Sequence, residues 1–327
     1  MDNLTHTLTG LMLSRAGINR WCPRATAILL ISSNFPDIDA VYSYGGSLDY
    51  LDHHRGITHA LLAVPVLAAL AAVIVRVAGR RRLPWARAVI AGCAGVLSHL
   101  LLDFTNTYGV QLLLPFSSEW LRLDITNVVD LWIWALLALC VAGPLLSRLV
   151  SSEIGAKPGT GRGAAIFALL ALSCYEGGRY LIHQRAVNVL ESYNYAGSAP
   201  RRVGAFPDFA NPFSWNTVVE TPKAALIQRI NLLQPYDPAG GAPFYYPRQT
   251  EALEAARRTD VFQRYLRFAQ FPFWQVSPVA QPEGGVRVEA MDLRFGTPPA
   301  PRFVATAILD SALQVVRAEY AFGPFQR

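Results

Sequence analysis

The sequence predicts a mainly α-helical, multi-pass membrane domain over residues 1–182, followed by a soluble α+β domain over residues 183–327. Three observations lead there. Hydrophobic residues make up 52% of the 327 and charged residues only 16%, whereas a soluble domain is nearer a quarter charged. The apolar residues are clustered in four runs, 57–78, 86–104, 128–149 and 164–182, each about the length that crosses a bilayer. After residue 182 no comparable run appears, and charged residues return together with Pro, Gly, Tyr and Trp.

Two shorter apolar pieces come first, 4–13 and 25–35. They are too short to span comfortably as helices. Arg15, Arg20 and Arg24 lie between them, so they read as a helical hairpin with a basic turn; interfacial or re-entrant helices are the alternative. Arginines mark cytoplasmic loops. Arg76, Arg80, Arg81, Arg82 and Arg87 separate the first two long spans, and Arg148, Lys157 and Arg162 separate the last two. Both loops are therefore placed inside. The start of span one, the end of span two, the loop 105–127 and the whole C-terminal domain are then expected outside, as in a bacterial inner-membrane protein. The net charge of +6 is accounted for by these loops, and no basic surface for nucleic acid is expected. Cys22, Cys93, Cys140 and Cys174 all lie in or beside apolar segments, which argues against a disulfide framework and a cysteine–zinc site. Asp2, His6 and Arg15 spoil any signal-peptide pattern at the N-terminus.

The same topology brings His6, Asp37, Asp39, His53, His54, His59, His99 and Asp103 to one outward level. His99 and Asp103 are four apart and share a helix face; ionisable groups in a membrane helix are costly and mark function. NFPDID, residues 34–39, is a proline turn carrying two carboxylates. HHRGITH, residues 53–59, places three histidines and an arginine at the mouth of span one, where His53 and His54 point in different directions and His54 is the favoured ligand. Imidazole and carboxylate donors without thiolates suit zinc, manganese or iron(II). The expected ligands are His6, Asp37, His54, His59, His99 and Asp103, with Asp39 bridging or supporting from behind. That surplus suits two or more divalent ions, a centre fitted to phosphoester hydrolysis. Arg55 presents a donor fork that matches a phosphate; a lipid-headgroup anchor is its plainer reading. Asp130 reads either as a partner of this centre or as a helix N-terminal charge, Asp124 lies on the same side, and His183 reads as a surface residue. There is no HExxH, no GxSxG and no P-loop.

Taken together, LTHTLTG, NFPDID, HRGITH and SHLLLDFTNTYG followed by LPF resemble the YdjM-like family, bacterial inner-membrane proteins grouped under a domain of unknown function and described as metal-dependent hydrolases. The resemblance covers roughly residues 1–150. It implies a distant relation to zinc-dependent phospholipase C and the S1/P1 nucleases, whose zinc clusters include a His-x3-Asp pair on a helix. His99 and Asp103 match that pair, and His6, Asp37 and one histidine of HHRGITH would fill further positions. The chain has no evident counterpart to the later His and Glu ligands of those enzymes. The implied activity is hydrolysis of a phosphoester on a membrane lipid or lipid-linked substrate at the outer membrane face.

In the C-terminal part, 250–270 has helical periodicity. Residues 286–295, 303–309 and 313–320 read as strands, as do 214–220 and 224–232 more weakly. Two rival functions share the polar cluster. A metal or proton transporter needs polar residues continuing inward, and the inner half of span one, LLAVPVLAALAAVIV, has none. A non-catalytic protein whose metal only staples short helices together needs one fully coordinated ion.

Overall fold

Asp2 caps the first helix: its Oδ1 accepts from the N–H of Leu4 at 3.0 Å and of Thr5 at 3.1 Å, satisfying donors that a helix N-terminus leaves open. That helix, α1, spans Asn3–Leu13. A π turn at Ser14–Ile18 and the single turn α2 (Asn19–Trp21) lead into α3 (Ala25–Ser32), which completes the expected hairpin. A 3-10 helix over Phe35–Gly45 and a short α4 (Ser47–His53) follow. The structure is a computed structural model that describes residues 1–80, 82–155 and 159–322; Arg81 and Lys157, two of the loop cations counted above, lie outside the described residues.

Four helical segments among the described residues are long and apolar enough to cross a membrane: Leu61–Gly79, Trp85–Thr105, Leu131–Glu153 and Arg162–Glu191. The regular part of the first is α5 (Val64–Gly79) and the others are α6, α7 and α8. Lipid tails are as apolar as leucine, so such helices associate through close van der Waals packing, which small residues permit. A Cβ on Gly92 would come within 2.9 Å of the Ala68 carbonyl oxygen on α5, and one on Gly95 within 2.0 Å of Ser32 Oγ on α3. Alanine at Gly92 would press on the α5 backbone, and alanine at Gly95 would displace the Ser32 side chain. The opposite faces carry exposed Leu139, Leu146, Leu149 and Leu170, the side chains a bilayer would cover.

The basic turns meet at one end of this bundle. Arg24 donates to the Gly79 carbonyl at 3.0 Å, Arg87 to that of Trp21 at 3.2 Å and Arg162 to that of Ala16 at 2.7 Å. Cations are thus set against helix C-termini and turn carbonyls, on the arrangement the arginine count predicted. α8 does not stop with its apolar run at residue 182 but continues to Glu191. Its later turns are still packed: Arg179 donates to the Ile125 carbonyl at 2.8 Å, and His183, expected at the surface, is buried.

The chain divides into two compact units, Met1–Asp39, Arg55–Gln184 and Pro207–Pro212 in the first, and Ala40–His54, Arg185–Phe206 and Phe213–Arg327 in the second. Instead of a single cut near residue 182, the second unit also takes the early stretch 40–54. It contains two four-stranded antiparallel sheets. β1 (Arg202–Pro207), β2 (Ser214–Glu220), β3 (Ala224–Asn231) and β4 (Ala242–Tyr245) lie side by side in that order, as do β5 (Pro272–Pro278), β6 (Val286–Asp292), β7 (Val304–Leu309) and β8 (Val315–Ala321). Thr217 faces Gln228 in the first sheet and Val288 faces Ala307 in the second. Val218, Ala225, Phe273, Met291 and Val304, from both sheets, form one buried cluster with Phe206 and Phe271. Each large side chain there contributes about 1.5–3 kcal/mol by leaving water. The expected helix at 250–270 is two, α9 (Glu251–Arg257) and α10 (Asp260–Phe268), because Thr259 starts a new one by accepting from the Phe262 N–H at 3.3 Å.

Candidate metal centre

Three stretches deliver the donors. Asp37 and Asp39 come from the 3-10 helix opened by Phe35–Pro36, His59 from the 3-10 turn Ile57–His59, and His99 and Asp103 from successive turns of α6. One atom from each of Asp37, His59, His99 and Asp103 lies within 4.8 Å of all the others. The two imidazole Nε2 atoms are 3.1 Å apart. Asp103 Oδ2 is 3.3 Å from each of them, and Asp37 Oδ1 is 3.6 Å from each. His59, His99 and Asp103 are fully buried.

The histidines are set from behind. His99 Nδ1 lies 2.8 Å from the Ser33 carbonyl oxygen, which can only accept. His59 Nδ1 lies 3.1 Å from Asp39 Oδ2 and 3.0 Å from Thr58 Oγ1, whose own hydroxyl donates to that carboxylate at 2.8 Å. In its neutral form each ring would carry its proton on Nδ1 and turn Nε2 inward, an assignment made from the hydrogen-bond network. Two lone pairs then face each other at 3.1 Å, with a carboxylate oxygen beside both. Asp103 Oδ2 is buried and makes no hydrogen bond, although it lies 3.3 Å from both nitrogens.

Such a set repels itself unless a cation lies between the donors. An ion held tetrahedrally at about 2.0–2.1 Å spaces its ligands about 3.3–3.4 Å apart, and the five separations that involve an imidazole nitrogen run from 3.1 to 3.6 Å. The residues fit a zinc-like divalent ion. Asp39 then occupies the outer position of a carboxylate–histidine–metal triad, fixing the tautomer and orientation of His59.

The remaining expected residues fall in different places. His6 stacks on His99 with ring centroids 3.6 Å apart, and its Nε2 is 3.5 Å from Asp103 Oδ1 and 3.2 Å from the Met1 carbonyl oxygen. Its Nδ1 is buried without a partner. The Met1 amine also contacts Asp103 Oδ1. Arg55 is buried: it donates to Asp103 Oδ1 at 3.0 Å, to Asn106 Oδ1 at 2.9 Å and to the Gly109 carbonyl at 3.3 Å, over the Tyr108 ring. Its φ of 61° is in the left-handed region that ordinary residues avoid, and its N–H donates to Asp39 Oδ2 at 2.9 Å. His54 belongs to the second unit, where its ring stacks on Tyr50. Asp130 takes the helix-capping role: its Oδ1 accepts from the N–H of Trp132 and Ile133, and from the Tyr175 hydroxyl. Asp124 pairs with Arg122.

Asn106 was missed. It orders both Arg55 and the chain turn at Tyr108 N, and its place three residues after Asp103 at the end of an apolar run was the available signal.

The profile of the family described as "YdjM inner membrane protein" matches residues 1–186, well over half of the chain. The chain belongs to the YdjM inner membrane protein family. The profile described as "YfhP C-terminal alpha/beta plait domain" matches residues 251–321, the stretch that contains α9, α10 and β5 to β8. A curated relative, "Uncharacterized protein YfhP" of Bacillus subtilis (strain 168), is 31% identical over 148 residues, covering 41% of this chain and 43% of that protein. The chain thus matches less than half the length of this relative. No solved structure matches. The candidate metal-binding residues lie inside the stretch matched by the family profile, and the matches lend no support to a similarity with zinc phospholipase C or the S1/P1 nucleases.

Proposed function

We propose that this YdjM-family protein is a metal-dependent phosphoesterase of a bacterial inner membrane, acting on a lipid or lipid-linked substrate at the outer face. The observation that carries the reading is the convergence of two imidazoles and two carboxylates, one atom of each within 4.8 Å of all the others, beside the end of a membrane helix. Asp37, His59, His99 and Asp103 would hold one divalent ion, and His6 with the second oxygen of Asp103 would contribute to another. Bound there, such ions supply Lewis acidity and an ionised water near neutral pH. The chain's own contribution is to aim the ligands, through Asp39 and the Ser33 carbonyl, and to keep a fixed guanidinium, Arg55, beside Asp103. That charge favours a phosphoryl group whose oxygens gain negative charge.

A lipid substrate is supported by what surrounds the ligands in the chain. Ile38 lies between Asp37 and Asp39, and Ile57, Leu61 and Leu62 flank His59; all four are exposed. Ligand-bearing turns with apolar outer surfaces suit the headgroup boundary of a bilayer. The arginine count supports an outward position for the C-terminal unit. A transporter is disfavoured by α5, whose buried residues Val64, Leu67, Ala68, Ala71, Ala72 and Val75 offer an ion no polar path.

One observation favours a second reading. Four protein donors complete a tetrahedral shell, and closed shells typify structural zinc. Metal content per chain of the detergent-purified protein, with Asp103→Asn alongside, separates the two. Two or more ions in the wild type, lost in the variant together with hydrolysis of phospholipids in vesicles, is the expected result. One tightly held ion with no hydrolysis makes the centre a staple, and no ion after loading with zinc or manganese overturns both.

A further inference from the structure

The loop 105–127, expected outside the membrane, carries the apolar run VQLLLPF at 110–116. Its side chains go two ways. Leu112 packs against Val64 and Leu67 of α5 and Val96 and Leu100 of α6. Leu113 and Phe116 point away and are 42% and 85% exposed. Neighbouring apolar side chains left bare in this way mark a surface that something covers.

Span one fixes the depth of this turn. The Leu61 N–H donates to the Leu112 carbonyl at 3.0 Å, and Leu61 is the first residue of the span. That span has no length to spare. Its 3-10 turn Leu61–Ala63 rises about 6 Å and the 16 residues of α5 about 24 Å, together only about the 30 Å thickness of a hydrocarbon core. Leu61 therefore lies at the edge of the hydrocarbon and not above it, and Leu112 shares its depth.

Irregular backbone at that depth needs its polar groups paired within the protein, and this turn is built so. The Val110 N–H donates to the Leu121 carbonyl at 2.9 Å and the Gln111 N–H to that of Arg55 at 3.1 Å. Those of Phe116 and Ser117 donate to the Leu113 carbonyl at 2.9 and 3.1 Å, and Pro115 has no N–H to satisfy. The Gln111 side chain turns back to the Ser118 carbonyl at 2.8 Å. Polar groups face the protein while two apolar side chains face out.

We propose that the turn 112–116 is an interfacial lip beside span one: its backbone rests at the hydrocarbon edge, and lipid acyl chains cover Leu113 and Phe116. Apolar side chains that reach from the headgroup level into the acyl region bind by the area they bury. The lip also adjoins Arg55, whose carbonyl it engages through Gln111. A lipid substrate would then meet the lip with its chains and the neighbourhood of Arg55 with its headgroup; that consequence rests on the phosphoesterase reading, and the lip itself does not.

The test uses the full-length protein in vesicles of phosphatidylethanolamine and phosphatidylglycerol. Phe116→Trp adds one emitter to the seven native tryptophans, and its emission is the difference from the wild type. That emission is expected to be blue-shifted, and to be lost more to bromine on the acyl chains than to iodide in the water. Should Phe116→Trp fail to fold, Leu113→Trp reads the same face. Stronger loss to iodide than to bromine puts the turn in water and overturns the proposal. Protection from both quenchers means that protein, a second copy of this chain included, covers the face, and overturns it as well. Neither metal nor hydrolysis enters the readout, so failure of the phosphoesterase reading leaves the result standing.

Discussion

Each unit buries a cluster of charged and polar side chains, and the two are finished in opposite ways. In the second unit Asp292 and Arg294 are wholly buried and fully engaged. Asp292 accepts from Arg294 at 2.7 Å and from the Gln270 N–H at 2.9 Å, while Arg294 also donates to the Phe268 carbonyl at 3.1 Å and lies over the rings of Phe268 and Phe295. In the first unit, equally buried His59, His99 and Asp103 have their outer atoms satisfied and their inner atoms aimed at one another. Burial of polar groups is tolerated when partners are complete and costly otherwise. A cluster satisfied on every side serves the fold. One whose nitrogen and carboxylate atoms converge within 4.8 Å is a candidate for holding an ion.

That contrast can be broken at either cluster. The largest effect on folding is expected from Asp292→Ala, which strands a buried guanidinium and should cost about 3–5 kcal/mol. Denaturant unfolding followed through Trp215 and Trp274 reads it, and metal content should stay at the wild-type level. A loss below about 1 kcal/mol would mean the pair carries little of the fold. The same pair should respond to acid. Burial pushes the Asp292 carboxyl up, but Arg294 and the backbone N–H groups outweigh it and hold the carboxyl below its ordinary value. A depressed carboxyl stabilises the folded state above the unfolded value of about 3.9, and that contribution is lost as pH falls through the folded value. Unfolding of the second unit should therefore become easier from about pH 4 downward, and Asp292→Ala should flatten that dependence.

At the other cluster the signs reverse. His99→Ala should lower zinc affinity by at least about 100-fold, or about 2.7 kcal/mol, the upper range for losses around a metal. By titration calorimetry, wild-type affinity would remove His99 from the centre. Asp39→Asn should cost about ten- to 100-fold, since it loosens the His59 ring together with the Thr58 and Arg55 bonds to the same oxygen. A comparable effect, on stability, is expected at Gly95, one turn before His99, and the smallest at Gly143. Gly95→Ala drives a Cβ into Ser32 Oγ and should cost about 1–3 kcal/mol as overpacking. Gly143, with open space at its Cβ, should gain up to about 1 kcal/mol on the same change. Thermal melts in one detergent compare them.

Much of this was legible in advance because membrane topology is coarse. Run lengths and arginines alone brought Asp37, His59, His99 and Asp103 to one level, and i, i+4 spacing put the last two on one face. What stayed hidden has physical causes. β1, β4 and β5 lie at sheet edges, and Pro207, Pro243 and Pro272 occupy positions a central strand excludes. Thr259 restarts a helix inside a run of good helical periodicity. Nothing local marks Ala40–His54 as part of another unit: its partners Arg264 and Tyr320 lie more than 200 residues on. His54 and Arg55 are neighbours in sequence on opposite sides of that division.

The spacing of these contacts along the chain has a consequence for biogenesis. Every residue of the four-donor set has been synthesised once Asp103 is made, whereas the ion pair of Asp49 on α4 waits for Arg264. A ribosome adding about 5–20 residues per second leaves an interval of roughly ten seconds or more between those two events. The four-donor set is therefore complete in the growing chain before the last strands of the plait have been made.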